Sequence, residues 1–236
     1  MLKSELPEYS TKISSSDQAM CFRPFLVKEE KTLLLISEEG TFVEIIRTIK
    51  NILESCYRDI DISKIPLAEA EYLFIKLREK SIGEELELLY RETDKLPVTI
   101  KVDLRKVKPP SKADRKSNNI SITPKINITM RDITMSDIIL NEINVYEESR
   151  DQIIKGLACM IDTITLGEES LSGNDISMKE KLEFIDNMTE NQFVKLVKFA
   201  EKAPSLTYTF TELIEDKEKE FTLTGLNDFF GLVSPT

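Results

Sequence analysis

The sequence reads Leu86-Glu87-Leu88-Leu89-Tyr90, then a charged segment from Arg91 to Pro97, and then Val98-Thr99-Ile100-Lys101-Val102. Polar and apolar side chains largely alternate in the two outer stretches, which is the period of a strand with one buried face. The segment between them is short and polar, as in a hairpin connection. The sequence therefore predicts a β-hairpin with its tip at residues 91–95.

A second hairpin of the same kind is predicted near the C-terminus. It runs from Leu206 to Leu223, and its charged tip is Glu215-Asp216-Lys217-Glu218. Each hairpin follows a group of predicted helices along the chain. We expect the two hairpins to form a small antiparallel sheet in an otherwise mostly helical protein, so the predicted fold class is α+β.

Helical periodicity accounts for most of the remaining chain. Two capping boxes, Ser177 with Glu180 and Thr189 with Gln192, each predict the start of a helix. The other predicted elements of the second half are a helix over residues 148–164, a loop over 165–176, and short strands at 119–123 and 125–131.

The predicted domain organisation is simple. Residues 1–20 are polar and rich in Ser and Thr, which is typical of a flexible N-terminal arm. Residues 21–236 are predicted to form a single α+β domain. Its parts are the helices and hairpin of residues 21–104, a basic loop over 105–119, and the strands, helices and hairpin of 120–236.

Composition excludes several classes of function. The net charge of -10 argues against a nucleic-acid binder, which needs clustered Lys and Arg. No apolar run approaches the ~18 residues that a membrane-spanning helix needs, so no membrane contact is expected. The three cysteines, Cys21, Cys56 and Cys159, are widely spaced and fit reduced thiols in a cytoplasm.

The chain contains no histidine, which removes the commonest general base and the commonest metal ligand. It also lacks the glycine-rich motifs that cradle phosphates and the motif that presents a nucleophilic serine. Carboxylates alone carry no signal in a chain with 42 Asp and Glu residues. We therefore predict a protein that is not an enzyme and holds no cofactor or metal.

One segment departs from the acidic character of the chain. The basic loop concentrates positive charge around a single acid, Asp114. Such a loop is either a solvated, mobile segment or a contact for an acidic partner surface. Its basic residues are Arg105, Lys106, Lys108, Lys112, Arg115 and Lys116.

The two ends of the chain supply the remaining candidate partner contacts. Phe22, Arg23 and Phe25 surround Pro24, and the aromatic pair either docks on a partner or anchors the chain in its own core. The C-terminal candidates have the same two alternatives, since they either close the core or form a contact patch. They are Phe229, Phe230, Leu232 and Val233.

Three stretches of the sequence stand out as motifs, and they are Phe22-Arg23-Pro24-Phe25-Leu26-Val27-Lys28-Glu29-Glu30-Lys31, Asn187-Met188-Thr189-Glu190-Asn191-Gln192-Phe193 and Phe221-Thr222-Leu223-Thr224-Gly225-Leu226-Asn227-Asp228-Phe229-Phe230. Together they resemble a baseplate protein family of T-even-like contractile-tailed bacteriophages. A fourth stretch, Cys159-Met160-Ile161-Asp162-Thr163-Ile164, fits the family less sharply.

The resemblance implies a protein made in the cytoplasm of an infected bacterium and needed to build the baseplate hub. Its partners would be other hub or tail proteins. It would either stay in the virion tail baseplate as a structural subunit or act as an assembly chaperone and leave. A third alternative is an unrelated soluble adaptor protein that shares these motifs.

Many members of the family carry a C-x-x-C pair at each hairpin tip, and the two pairs together resemble a zinc ribbon. Here the corresponding tips read Arg91-Glu92-Thr93-Asp94-Lys95 and Glu215-Asp216-Lys217-Glu218, without cysteine. The resemblance thus implies a metal-free relic of a zinc-ribbon-like element, in which other contacts hold the hairpins together.

We predict that the purified protein contains no zinc, because neither histidine nor paired cysteines are present to bind it. Metal analysis of protein purified without chelators should find only trace zinc. About one zinc per chain would contradict the prediction.

Overall fold

The structure, a computed structural model, describes residues 6–91, 96–111, 115 and 117–230, with the backbone alone at positions 17, 37, 38 and 230. None of the helices in these ranges is both long and apolar enough to span a membrane. The helices are α1 (Val27–Glu39), α2 (Phe42–Cys56), α3 (Leu67–Ser81), α4 (Met135–Asn141), α5 (Arg150–Cys159), α6 (Met178–Asp186), α7 (Glu190–Ala200) and α8 (Gly225–Phe230).

Helices alternate with short antiparallel strands along the described chain, which confirms the α+β class. The capping boxes of α6 and α7 form as predicted, at Ser177 and Thr189. The strands are β1 (Tyr9–Ile13), β2 (Ser16–Phe22), β3 (Glu85–Tyr90), β4 (Val98–Asp103), β5 (Asn119–Thr123), β6 (Ile126–Met130), β7 (Ile161–Leu166), β8 (Glu169–Ser172), β9 (Thr207–Ile214) and β10 (Lys217–Thr224).

The two predicted hairpins are present as β3–β4 and β9–β10. Within the described residues they remain separate two-stranded sheets instead of sharing one hydrogen-bonded ladder. The expected small sheet is absent because the hairpins meet through aromatic side chains on their faces and not through strand edges.

Backbone contacts divide the chain into two compact units. The first comprises Met1–Gly40, Thr48–Lys112 and Ser205–Thr236, and the second comprises Thr41–Arg47 and Ala113–Pro204. The chain therefore leaves the first unit and returns to it twice, and one of these crossings, between Lys112 and Ala113, falls within the basic loop. The domain boundaries expected at residues 20, 104 and 119 stay predictions.

The N-terminal segment is more ordered than its polar composition indicates. Residues 9–22 form the antiparallel hairpin β1–β2, with Ile13 and Met20 buried. Its turn is held by Glu69 of α3, which accepts hydrogen bonds from the N–H of Ser15 at 2.6 Å and from the Ser15 hydroxyl. Where a flexible arm is expected, the described part is a folded hairpin, because a distant carboxylate supplies the partner that local sequence does not show.

Helix α3 is the buried centre of the first unit. Leu73, Phe74, Ile75 and Leu77 are fully buried, although they occupy different sides of the helix. A helix that is covered all round needs no amphipathic stripe. The other elements of the first unit can therefore pack on several faces of α3, including the β1–β2 hairpin and α8.

The second unit contains an antiparallel sheet with the strand order β5-β6-β7-β8. Helices α5, α6 and α7 belong to the same unit, and one core joins Ile128 and Ile164 of the sheet to Leu196 and Phe199 of α7. The long helix predicted over residues 148–164 is therefore wrong after Cys159, and the loop predicted over 165–176 contains β8. Ile161 and Ile164 fit a helical stripe, but the β-branched Ile-Thr run favours a strand.

We predict that Glu69→Ala lowers the free energy of unfolding by about 1–3 kcal/mol, since the backbone N–H of Ser15 loses its acceptor. The β1–β2 hairpin should become the first segment to exchange its amide hydrogens. Hydrogen exchange and urea unfolding measure both effects, with Glu183→Ala on the exposed side of α6 as the control. Unchanged protection of residues 9–22 would contradict the prediction.

Candidate functional site

The aromatic motif at the N-terminal end of the first unit faces inward. Phe22 is buried and stacks on Tyr57 with ring centroids 4.8 Å apart. Phe25 is also buried, and its N–H donates to the Ser81 hydroxyl at 3.0 Å. Of the two alternatives for this motif, the geometry favours anchoring in the core over docking on a partner.

Arg23 joins this anchor to helix α1. Its guanidinium donates to both carboxylate oxygens of Glu29, at 2.7 and 3.1 Å. Burial by itself would raise the pKa of Glu29, but hydrogen bonds from Arg23, the Leu26 N–H and Ser55 lower the pKa to about 2. The pair is thus satisfied internally, and Arg23 has a structural role in this arrangement.

The two hairpins of the first unit lie side by side next to their tips. The rings of Tyr90 and Phe221 meet edge to face with centroids 5.0 Å apart. Lys219 donates to the Tyr90 hydroxyl at 2.7 Å and also lies 4.8 Å from the centroid of that ring. Tyr90 and Lys219 each lie next to a hairpin tip, so their contact agrees with the prediction that the two tips lie side by side. Residues 92–95 of the first tip lie outside the description.

Aromatic stacking extends this contact along the second hairpin. Phe221 stacks on Phe210 of the neighbouring strand, and Phe210 stacks on Tyr208. Such pairs contribute roughly 0.5–1.5 kcal/mol beyond the area that they bury. An aromatic and cationic contact therefore holds the hairpins together in the described residues.

Exposed apolar side chains surround the same hairpins, and we name them the hairpin-tip surface. Leu89 is 72% exposed and Leu213 is 65% exposed, each on the otherwise polar face of its strand. Leu96 and Val98 beside the first tip are exposed as well. The sequence analysis did not predict this surface. A leucine at a position where strand alternation predicts a polar residue nevertheless indicates an exposed apolar side chain.

The basic loop does not form one exposed cluster in the described residues. Arg105 is exposed and pairs with Asp103 and Glu84, both at 2.9 Å. Lys106 and Lys108 are exposed, whereas Lys112 and Lys116 lie outside the description. The first three belong to the first unit and Arg115 to the second.

Arg115 is the buried exception among the basic residues. Its side chain is 4% exposed, pairs with Asp132, and lies 3.8 Å from the centroid of the Phe199 ring. This guanidinium is packed inside the second unit, so it is not presented to an acidic partner in this arrangement.

At the C-terminal end, Phe229 is fully buried in the first unit. Helix α8 is fixed by the N–H of Leu226, which donates to Glu71 of α3 at 3.3 Å. The side chain of Phe230 and residues Leu232 and Val233 lie outside the description. Of the C-terminal candidates, Phe229 therefore closes the core.

The thiols and carboxylates show no metal-binding arrangement within the described ranges, where no three such side chains cluster. Burial raises the pKa of the Cys159 thiol to about 12 and also raises the pKa of Cys56. Cys21 is exposed. Two of the three cysteines are thus poor nucleophiles at neutral pH.

The helices, small sheets and paired hairpins define an α+β protein, and exposed leucines lie beside the charged tips of the paired hairpins, at Leu89 and Leu213. The family described as T4 bacteriophage base plate protein matches residues 6–231. The chain therefore belongs to the T4 bacteriophage base plate protein family. Searches of curated proteins and of solved structures gave no match.

We predict that Glu29→Gln lowers the free energy of unfolding at pH 7 by roughly 1–3 kcal/mol, since a charged hydrogen-bonded pair is lost. The folded-state pKa of Glu29, about 2, lies below the unfolded value of ~4.3. Its contribution is therefore complete above the unfolded pKa and is lost as the pH falls toward 2.

Thermal unfolding between pH 7 and pH 2.5 measures this effect. The difference between wild type and Glu29→Gln should shrink as the pH falls, whereas the neighbouring control Glu30→Gln should show little difference throughout. A difference that stays constant over the whole range would contradict the assignment.

Proposed function

We propose that the protein acts in assembly of the central hub of the phage baseplate, through contacts with other hub or tail proteins. The match to the baseplate family over residues 6–231 carries the proposal. The resemblance of the stretches at 22–31, 187–193 and 221–230 to hub proteins supports the finer assignment to the hub. On this proposal the protein is not an enzyme and needs no cofactor, nucleic acid or membrane.

The hairpin-tip surface is the favoured contact surface in the first unit. Exposed leucines on the hairpins cost free energy in water, and a partner that covers them recovers roughly 1.5–3 kcal/mol for each side chain buried completely. Phe22, Phe25 and Phe229 are already buried in the protein's own core, so they offer a partner little accessible area. We therefore propose a contact at the hairpins in place of Phe22, Phe25 and Phe229, whereas Leu232 and Val233 stay predicted contacts.

The proposal has two forms, a structural subunit that stays in the virion and an assembly factor that leaves. Quantitative mass spectrometry of purified virions separates them. A structural subunit is expected at a fixed stoichiometry to known baseplate proteins. An assembly factor is expected to be absent from virions, although phage that lack the gene fail to form baseplates. Normal baseplates without the gene would refute both forms.

We predict that the double substitution Leu89→Ser and Leu213→Ser reduces the plaque titre about tenfold or more when it complements phage that lack the gene. The fold should be nearly unaffected, because exposed substitutions rarely change stability by more than ~0.5 kcal/mol. The matched control is Thr99→Ser with Thr209→Ser, at exposed positions on the same faces of the hairpins. Full complementation by the leucine variant would exclude this surface.

A further inference from the structure

The two edges of the four-stranded sheet in the second unit differ. On β5, the Met130 N–H donates to the Asn118 carbonyl, so strand alternation turns the backbone of Ser121 away from β6. Lys195 of α7 donates to that Ser121 carbonyl at 2.6 Å. A lysine that occupies an edge acceptor blocks the addition of another strand.

Strand β8 forms the opposite edge, and no lysine donates to its backbone within the described residues. The Gly173 N–H donates to the Asp162 carbonyl at 2.6 Å, and Leu171 is paired with Ile164. The alternation of an antiparallel strand then turns the backbone of Ser170 and Ser172 outward. The Ser172 carbonyl accepts from the Asp175 N–H, but outside the β7–β8 ladder no hydrogen bond involves the Ser170 backbone in the part of the chain that the structure describes.

The side chains at this edge set the character of an additional strand. Ile128, Ile164 and Leu171 form one row across the sheet, and exposure rises from 0% at Ile128 through 4% at Ile164 to 44% at Leu171. The apolar face thus runs out to an uncovered edge. On the other face, a row of Asn127, Thr165 and Ser170 is polar without charge. A strand that continues both rows alternates apolar residues with small polar ones.

Charge specifies the partner further. Residues 161–178 contain four acidic residues and no Lys or Arg. The nearby Lys125 lies on the neighbouring chain segment, where its carbonyl accepts a hydrogen bond from the Gly167 N–H. The four acidic residues are Asp162, Glu168, Glu169 and Asp175. All four are exposed, and none of them forms an ion pair within the described residues. A second copy would bring the same negative charges to the contact, whereas a basic segment would neutralise them.

We propose that the outer edge of β8 binds an extended, basic segment of another protein as a fifth strand. Main-chain hydrogen bonds to the N–H and carbonyl of Ser170 and to the N–H of Ser172 give affinity, and apolar side chains that cover Leu171 give register. This inference rests on the proposed function, since it names the kind of tail-protein segment that the protein recognises.

The main test is Ser170→Pro, which removes the outward N–H and leaves the ladder between β7 and β8 intact. Proline is tolerated at an edge where the N–H faces solvent, so the melting temperature should stay close to that of wild type. Complementation of phage that lack the gene should fall about tenfold or more relative to the control Ser170→Ala, which keeps the N–H. Equal complementation by the two variants would overturn the proposal.

Photo-crosslinking provides a second test that does not depend on proline. Benzoylphenylalanine placed at Leu171 in infected cells should crosslink to a basic stretch with alternating apolar residues, identified by mass spectrometry. The control position is Leu140, another exposed leucine of the second unit. A crosslink from position 171 to a helical or acidic segment, or to a second copy of this chain, would overturn the proposal.

Charge reversal covers the case in which Ser170→Pro does not fold. Glu168→Lys with Glu169→Lys should weaken the 171 crosslink several-fold, and an unchanged crosslink would count against a basic partner. A different result would refute the proposed function, namely normal baseplates in phage that lack the whole gene.

Discussion

Helix α3 is covered on all sides, yet it carries Glu69 and Glu71, which are only 4% and 3% exposed. A carboxylate in such surroundings must find hydrogen-bond donors or lose its charge. The donors come from the two ends of the chain, with Ser15 on Glu69 and the Leu226 N–H on Glu71. The first hairpin and the last helix are thus tied to one helix, and detaching either leaves a buried carboxylate with fewer donors. This requirement makes the first unit a cooperative structure.

The α+β class, both charged hairpins and two capped helix starts could be predicted because each depends on neighbours in sequence. The N-terminal hairpin could not, since its turn depends on Glu69, 54 positions from Ser15. The run from Ile161 to Leu166 fits both a helical stripe and a buried strand; its β-branched residues favour the strand, and its pairing with β6 and β8 stabilises that strand. The elements that were missed depend on tertiary pairing as well as on local preference.

The candidate contact surfaces were less predictable than the fold. Aromatic residues near a proline and near the C-terminus attract attention in a sequence, but Phe22, Phe25 and Phe229 fill the core. The exposed apolar residues are single leucines, such as Leu89 and Leu213, whose exposure depends on which face of a hairpin they occupy. A one-residue shift in register would bury them. Composition indicated a protein that acts by contact, and only the strand register shows which side chains are available for it.

The three thiols differ in exposure and in the unit that holds them, so their rates of chemical labelling can report local unfolding of each unit. Cys21 is exposed, so a maleimide dye should attach there first under native conditions. Cys56 lies buried in the first unit and Cys159 lies buried in the second. Each of these reacts only when its own unit opens. The order in which the second and third labels appear would therefore rank the local stabilities of the two units without any added mutation.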